Sequence, residues 1–252
     1  QAAVRRRGTD ITLITYGVDR NLEFQPDEAR AIALHEAGHA VTGHVYMKQH
    51  ASTRLSLRAR GHSLGHHAMA EIEERHSAFT HQKFADLVWS LGAMAAELVI
   101  YGETSTGVGG DIASATSTAL LMVGDWGMSA KRPDLRDHFA TPSEAAIAER
   151  KLFRRYQQTG LLLMNRSRSA DLEGEADDKR LEAAAFIGQA FLTAYWFIRH
   201  NRVATERLAD RFAVLVRGRL AALLTNRELA DRLSDRGVLR LRVDGRPPKL
   251  LE

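Results

Sequence analysis

Cysteine is absent from the 252 residues. That excludes a disulfide framework and thiolate metal sites, so any metal must be held by histidine and carboxylate. The absence also suits a reducing compartment. Long apolar runs are missing too. The stretches 87–101 and 186–198 fall short of the ~18 uncharged apolar residues that a spanning helix needs, and Glu97 interrupts the first. The N-terminus lacks the layout of a signal peptide, so the chain as given is expected to be soluble, without a transmembrane segment. No block of one charge stands out beyond Arg5-Arg6-Arg7. The 35 Lys+Arg and 31 Asp+Glu leave a formal charge of +4, with the arginines otherwise scattered, which argues against a nucleic-acid partner. The glycine-rich stretch 104–110 lacks the Lys-Ser/Thr ending of a phosphate-cradling loop, so it gives no sign of nucleotide binding. No repeat or low-complexity tract is present.

What the sequence does hold is 44% hydrophobic and 26% charged residues, ordinary globular usage in a length that suits one large or two small domains. Within it, His35-Glu36-Ala37-Gly38-His39 carries the chemistry. Two histidines four residues apart lie one turn apart on a helix face, close enough for both imidazoles to reach one tetrahedral zinc ion. Glu36 beside them is placed to take a proton from a water whose pKa the metal lowers to roughly 7. This is zinc-peptidase chemistry, against the plainer reading of two histidines that merely flank a core face. The helix is supplied locally. Pro26 suits a first helical position, Asp27 and Glu28 put negative charge at the positive end of the dipole, and Leu34, Ala37, Val41 and Val45 repeat at helical spacing.

The expected fold is mainly α, with a small β-hairpin and a C-terminal helical bundle. The motif helix is predicted over 26–48. Alternation over 53–58 and again over 67–72, around a turn with Gly61 and Gly65, predicts two strands beside it. An edge strand there suits an extended peptide bound by β-augmentation, along Leu55, Leu57, Gly65, His66 and His67. One amphipathic helix is predicted over 80–101 and another from Asp111 to about 128. A polar linker with Pro133 and Pro142 leads to a helix over 143–164, then a charged, apolar-poor loop over 166–179 and two or three more helices. Residues 1–24 read as the end of an upstream region, 25–130 as the core unit, and 131–252 as a supporting helical region of the same compact domain.

A catalytic zinc takes a third protein ligand and leaves a position open. His44 points away from the face of His35 and His39 on a continuous helix, and the extended HExxHxxGxxH pattern fails at Thr42 and Val45. Glu97, beside an apolar stripe, is one candidate. Asp111, after the glycine turn, is another, with a plain N-cap as its alternative role. Spacing alone leaves the two acids open.

Over most of its length the chain resembles the peptidase domain of the FtsH family, membrane-anchored AAA+ zinc proteases. The resemblance rests on His35-Glu36-Ala37-Gly38-His39-Ala40, Arg60-Gly61, Leu64-Gly65, Leu91-Gly92, Ala95-Ala96-Glu97 and Tyr101-Gly102-Glu103. It continues through Ser105-Thr106-Gly107, Asp111-Ile112, Ala115-Thr116, Met122-Val123 and Trp126-Gly127-Met128-Ser129. It implies one zinc ion per chain held by His35, His39 and Asp111, with Glu36 as general base and Glu97 behind a ligand histidine. It further implies a homo-hexamer, polypeptide substrates fed by an AAA+ ATPase module upstream or in trans, and a place at the cytoplasmic face of a membrane. No Walker A sequence is present, so the motor is expected elsewhere in a longer chain or lost. Ala93, Met94, Leu98, His66 and His67 depart from the family pattern, and 130–179 match it poorly. These departures keep two rivals in view, a catalytically silent scaffold subunit and a stand-alone regulatory zinc peptidase.

Overall fold

The computed structural model describes residues 24–56, 64–164 and 177–217. Helix α1, Pro26–Tyr46, starts on its proline with Asp27 and Glu28 in the first turn and ends where the Met47 N–H bonds Gly43 O. Strands β1, His50–Ser56, and β2, His66–Glu71, pair antiparallel from His50↔Glu71 to Ser56↔His66. An irregularity between Ser52 and Arg54 shifts the register by one residue. Then come α2, Thr80–Ser90, α3, Gly92–Ile100, α4, Val108–Gly124, a 3₁₀ turn at Arg136–His138, α5, Pro142–Met164, α6, Asp177–His200, and α7, Arg202–Arg217. The mainly helical architecture with a two-stranded sheet is the one the sequence predicts.

The core runs continuously from the motif helix to the C-terminal helices. Leu34 and Val41 of α1 join Leu87 and Val88 of α2, Met122 of α4, Met164 of α5 and Phe186, Ile187, Phe197 and Ile198 of α6, all almost fully buried. Burying one such side chain contributes roughly 1.5–3 kcal/mol. Helices α1 and α3 approach closely through two glycines. A Cβ on Gly38 would stand 2.5 Å from Gly92 O, and one on Gly92 would stand 2.3 Å from Thr42 Oγ1. That closeness carries Glu97, on α3, to the histidines of α1.

Several expectations are corrected. The single helix over 80–101 is two, because the chain turns at Leu91 (ψ 0°) just before the Gly92 approach. The helix expected from Asp111 begins at Val108 instead, so Gly109 and Gly110 form its first turn rather than a loop. Asp111 is therefore no N-cap; that position belongs to Gly107. No apolar run of spanning length is expected from the sequence, yet α6, with 24 residues, is long and apolar enough to cross a membrane by length and composition. Its charges gather near its ends, Asp177, Asp178, Lys179, Arg180 and Glu182 at one and Arg199 at the other, with small apolar residues lengthening the run between Glu182 and Arg199. Most of that run is buried inside the protein, packed against α5 and the core.

The region 1–23, Leu57, Gly61 and residues 165–176 of the expected loop lie outside the described residues, while Leu55 and His66 are placed by backbone register alone.

Candidate metal centre

One turn of α1 separates His35 from His39, with ring centroids 5.1 Å apart and planes at 80°. Asp111, in the first turn of α4, points its carboxylate between them. Its Oδ2 lies 3.2 Å from His35 Nε2 and 3.4 Å from His39 Nε2. The other ring nitrogens are committed elsewhere: His35 Nδ1 stands 2.8 Å from Glu97 Oε1, and His39 Nδ1 stands 2.9 Å from the Trp89 carbonyl. A carbonyl only accepts, so His39 Nδ1 carries the proton and Nε2 presents a lone pair. The Glu97 carboxylate sets the same tautomer on His35.

Two imidazole lone pairs and a carboxylate oxygen thus converge on one point. Asp111 Oδ2 is buried there without a hydrogen-bond donor, an arrangement that costs free energy unless a cation sits among the three. A tetrahedral zinc ion with bonds of roughly 2.0–2.1 Å sets its ligand atoms roughly 3.3–3.4 Å apart. The separations of 3.2 and 3.4 Å match that spacing, so the donor set fits zinc. Electrostatics point the same way. Burial works to lower the His35 pKa, but the carboxylates of Asp111 and Glu97 facing the ring outweigh it and raise the imidazole to about 10, so this face of the pocket holds positive charge, whether as a proton or as a metal ion. The Asp111 carboxyl is held well below its ordinary value, the facing histidines overcoming the opposite pull of burial. The pocket attracts positive charge.

Glu97 is 3% exposed and fully occupied. Beside His35 it takes the Ser105 N–H on Oε2 and the Ser105 hydroxyl on Oε1 at 3.0 Å. Against the effect of burial, these partners depress its pKa. Its carboxylate stays ionised and orients the imidazole. The loop from Ser105 to Gly107 is held in turn by the Gly107 N–H on Ser105 Oγ at 3.1 Å.

Glu36 is 6% exposed. Burial pushes its pKa up, opposed by the nearby His39 and His35, with Asp111 adding to the rise and the backbone N–H of His67 opposing it. Gly65 packs directly on it, since a Cβ there would stand 2.6 Å from Glu36 Oε1. His67 itself is 5% exposed and turned to Ser52 and Trp89. His44, in the last turn of α1, is exposed. The sequence-predicted residues His35, Glu36, His39, Glu97, Asp111, Gly65 and His67 therefore come together. The Trp89 carbonyl, Ser105 and the His67 backbone N–H were not singled out. A backbone group has no signature in sequence, and Ser105 stood in the glycine-rich stretch and in the family resemblance without a role of its own.

The pattern of peptidase family M41 matches residues 23–159, more than half of the chain. The ATP-dependent zinc metalloprotease FtsH 3 of Symbiobacterium thermophilum is 27% identical over 219 residues, covering 82% of this chain and 33% of that protein. The ATP-dependent zinc metalloprotease FtsH of Mycoplasmopsis pulmonis is 38% identical over 109 residues, 42% of this chain and 15% of the relative. The ATP-dependent zinc metalloprotease YME1L of Drosophila melanogaster is 35% identical over 121 residues, 47% of this chain and 16% of the relative. The chain spans a third or less of the length of these relatives. With its helical fold and its histidine and aspartate cluster, the chain belongs to peptidase family M41, the zinc metalloproteases of the FtsH type.

Proposed function

We propose that the chain is a zinc-dependent endopeptidase acting on extended polypeptides, with His35, His39 and Asp111 holding one zinc ion and Glu36 as general base. The observation that carries this reading is the convergence of three lone-pair atoms, one of them buried without a donor, beside a buried glutamate whose pKa is raised. Zinc, when bound, lowers the pKa of water toward neutrality and polarises a carbonyl. Glu36 accepts the proton of the attacking water on its carboxylate and later returns it to the leaving amine nitrogen. Its pKa, raised chiefly by burial, makes the carboxylate a stronger base toward that proton than an exposed glutamate. Glu97 holds the His35 ring, and the Trp89 carbonyl the His39 ring, so that neither has to reorient during turnover.

The substrate lies extended along the hairpin near Gly65, His66 and His67, with Leu55 on the companion strand; Leu57, expected beside it, lies outside the described residues. Among the described residues each strand pairs only with the other, so an extended peptide laid beside the hairpin would add a third strand to a two-stranded sheet. The relatives are named for ATP dependence. On that basis an ATPase module, upstream in a longer chain or in trans, delivers unfolded or membrane-extracted polypeptides to a homo-hexamer at the cytoplasmic face of a membrane. Residues 25–130 form the catalytic unit, with 131–252 supporting it.

Cleavage of a short, unstructured fluorogenic peptide by zinc-loaded protein tests this, with Glu36→Gln as the paired control. An unstructured peptide needs no unfolding motor. We expect activity that a chelator and Glu36→Gln both abolish; silence from a zinc-loaded hexamer would overturn the reading in favour of a scaffold subunit.

A further inference from the structure

The side chain of His67 is spent on the protein rather than presented to solvent. The indole N–H of Trp89 lies 3.1 Å from His67 Nδ1, and an indole only donates. His67 Nδ1 must therefore accept, which places the ring proton on Nε2, 2.9 Å from Ser52 Oγ. One imidazole thus ties α2 to β2 and β2 to β1 in a single tautomer. At the same residue the backbone N–H donates to the Glu36 carboxylate. Two residues earlier, Gly65 packs on Glu36 Oε1. The position of β2 is the position of the groups that hold Glu36.

Trp89 links this tie to the metal centre. Its carbonyl accepts from His39 Nδ1 at 2.9 Å, and its indole lies 5.4 Å from the His39 ring and 6.2 Å from the His67 ring. The indole is itself wedged against α1, since a Cβ on Gly43 would stand 2.9 Å from Trp89 Cδ1 and from Met69 Sδ. A shift of Trp89 would move both a metal-facing histidine and the strand over Glu36.

We propose that His67 is a positioning residue for Glu36: its imidazole, locked as the Nε2–H tautomer between Trp89 and Ser52, fixes the strand whose backbone orients that carboxylate. The inference rests on the peptidase reading for its kinetic consequence but not for its geometry. His67 never touches the reacting atoms in this arrangement. Its effect falls chiefly on kcat, where the alignment of base and water counts, less on KM through the substrate beside β2, and not on zinc content.

The test pairs kinetics with spectroscopy on the zinc-loaded protein. His67→Ala should lower kcat about tenfold with zinc content unchanged and a smaller change in KM, whereas His67→Asn, whose amide oxygen replaces Nδ1 as acceptor, should recover to within about threefold of wild type. In ¹⁵N spectra the His67 ring should show the Nε2–H pattern. Its backbone amide resonance should move in Glu36→Gln and also in Trp89→Phe, which removes the indole donor. An unchanged kcat in His67→Ala, an Asn variant as impaired as the Ala variant, or a loss carried by zinc content would overturn the proposal. Should wild type cleave nothing, the peptidase reading fails by itself. The spectra then still decide the tie, and a His67 amide that ignores Trp89→Phe overturns it.

Discussion

At the residue scale the two acids near His35 are separated by which ring nitrogen each one faces. Asp111 Oδ2 meets the Nε2 atoms, whereas Glu97 meets Nδ1 of His35 and is otherwise filled by Ser105. Different losses should follow. Asp111→Asn replaces an anionic donor and should remove stoichiometric zinc. Glu97→Gln can still accept from His35 Nδ1 but gives up charge, so zinc affinity should fall by roughly 10–100-fold, the usual cost of an orienting partner. Zinc competition with a chromophoric chelator reads both; a Glu97→Gln chain that loses zinc completely beside an Asp111→Asn chain that keeps it would reverse the two roles. A second prediction concerns Gly65. Its new methyl would strike side-chain atoms rather than backbone, Glu36 Oε1 at 2.6 Å and Glu36 Cγ and Ile32 Cγ2 at 2.8 Å. Gly65→Ala should therefore fold and bind zinc normally yet lose about 10²-fold in kcat, because the base is pushed aside by close to 1 Å. Wild-type turnover in that variant would show that Glu36 can yield without consequence.

At the element scale, the close crossing of α1 and α3 is what makes the centre possible, and it leaves no room for a methyl. At Gly38 the obstruction is backbone, 2.5 Å to Gly92 O and 2.8 Å to Ala93 Cα, which cannot step aside as a side chain can. Gly38→Ala should cost about 3 kcal/mol or more, above the usual overpacking range because two backbones must separate. It should also weaken zinc binding, since Glu97 travels with α3. Thermal melts and zinc titration of the variant check both effects. The motif helix and its two histidines were legible in the sequence because an i,i+4 pair needs only local geometry. The partner of that pair was not. Asp111 arrives through the packing of α4, and neither its distance along the chain nor its neighbours distinguishes it from Glu97 without a resemblance to lean on. The glycines before it read as a loop, yet the two after Val108 fold as helix. Gly109 and Gly110 have nothing within reach of a Cβ, so helix formation there meets no steric obstacle even though glycine disfavours it. The break at Leu91 was hidden for a related reason. The apolar period runs through both α2 and α3, and the turn between them answers to the crossing with α1 rather than to local sequence. Trp89 gave no signal in the sequence, because a carbonyl that orients a histidine carries no residue preference.

At the scale of the whole molecule, the centre joins elements far apart in the chain: α1 supplies two donors, α4 the third, α3 and α2 the groups that orient the rings. The unfolded chain keeps these donors scattered, so zinc binds the folded state and stabilises it by mass action. With free zinc at 100 to 1,000 times its dissociation constant, the gain is about 2.7–4.1 kcal/mol. For a chain near 250 residues, each kcal/mol moves the melting temperature by roughly 2–4 °C. Chelation should therefore lower Tm by roughly 5–16 °C. The Asp111→Asn chain should show almost none of this response on the proposed assignment, because the centre then lacks the carboxylate that brings α4 to α1. Glu36→Gln should keep the full shift, since its carboxylate is not among the converging donors. That contrast separates binding from chemistry in one experiment. A Glu36→Gln chain with the wild-type shift and no cleavage places the glutamate in the reaction alone. A Glu36→Gln chain that loses the shift would instead make Glu36 part of what holds the metal.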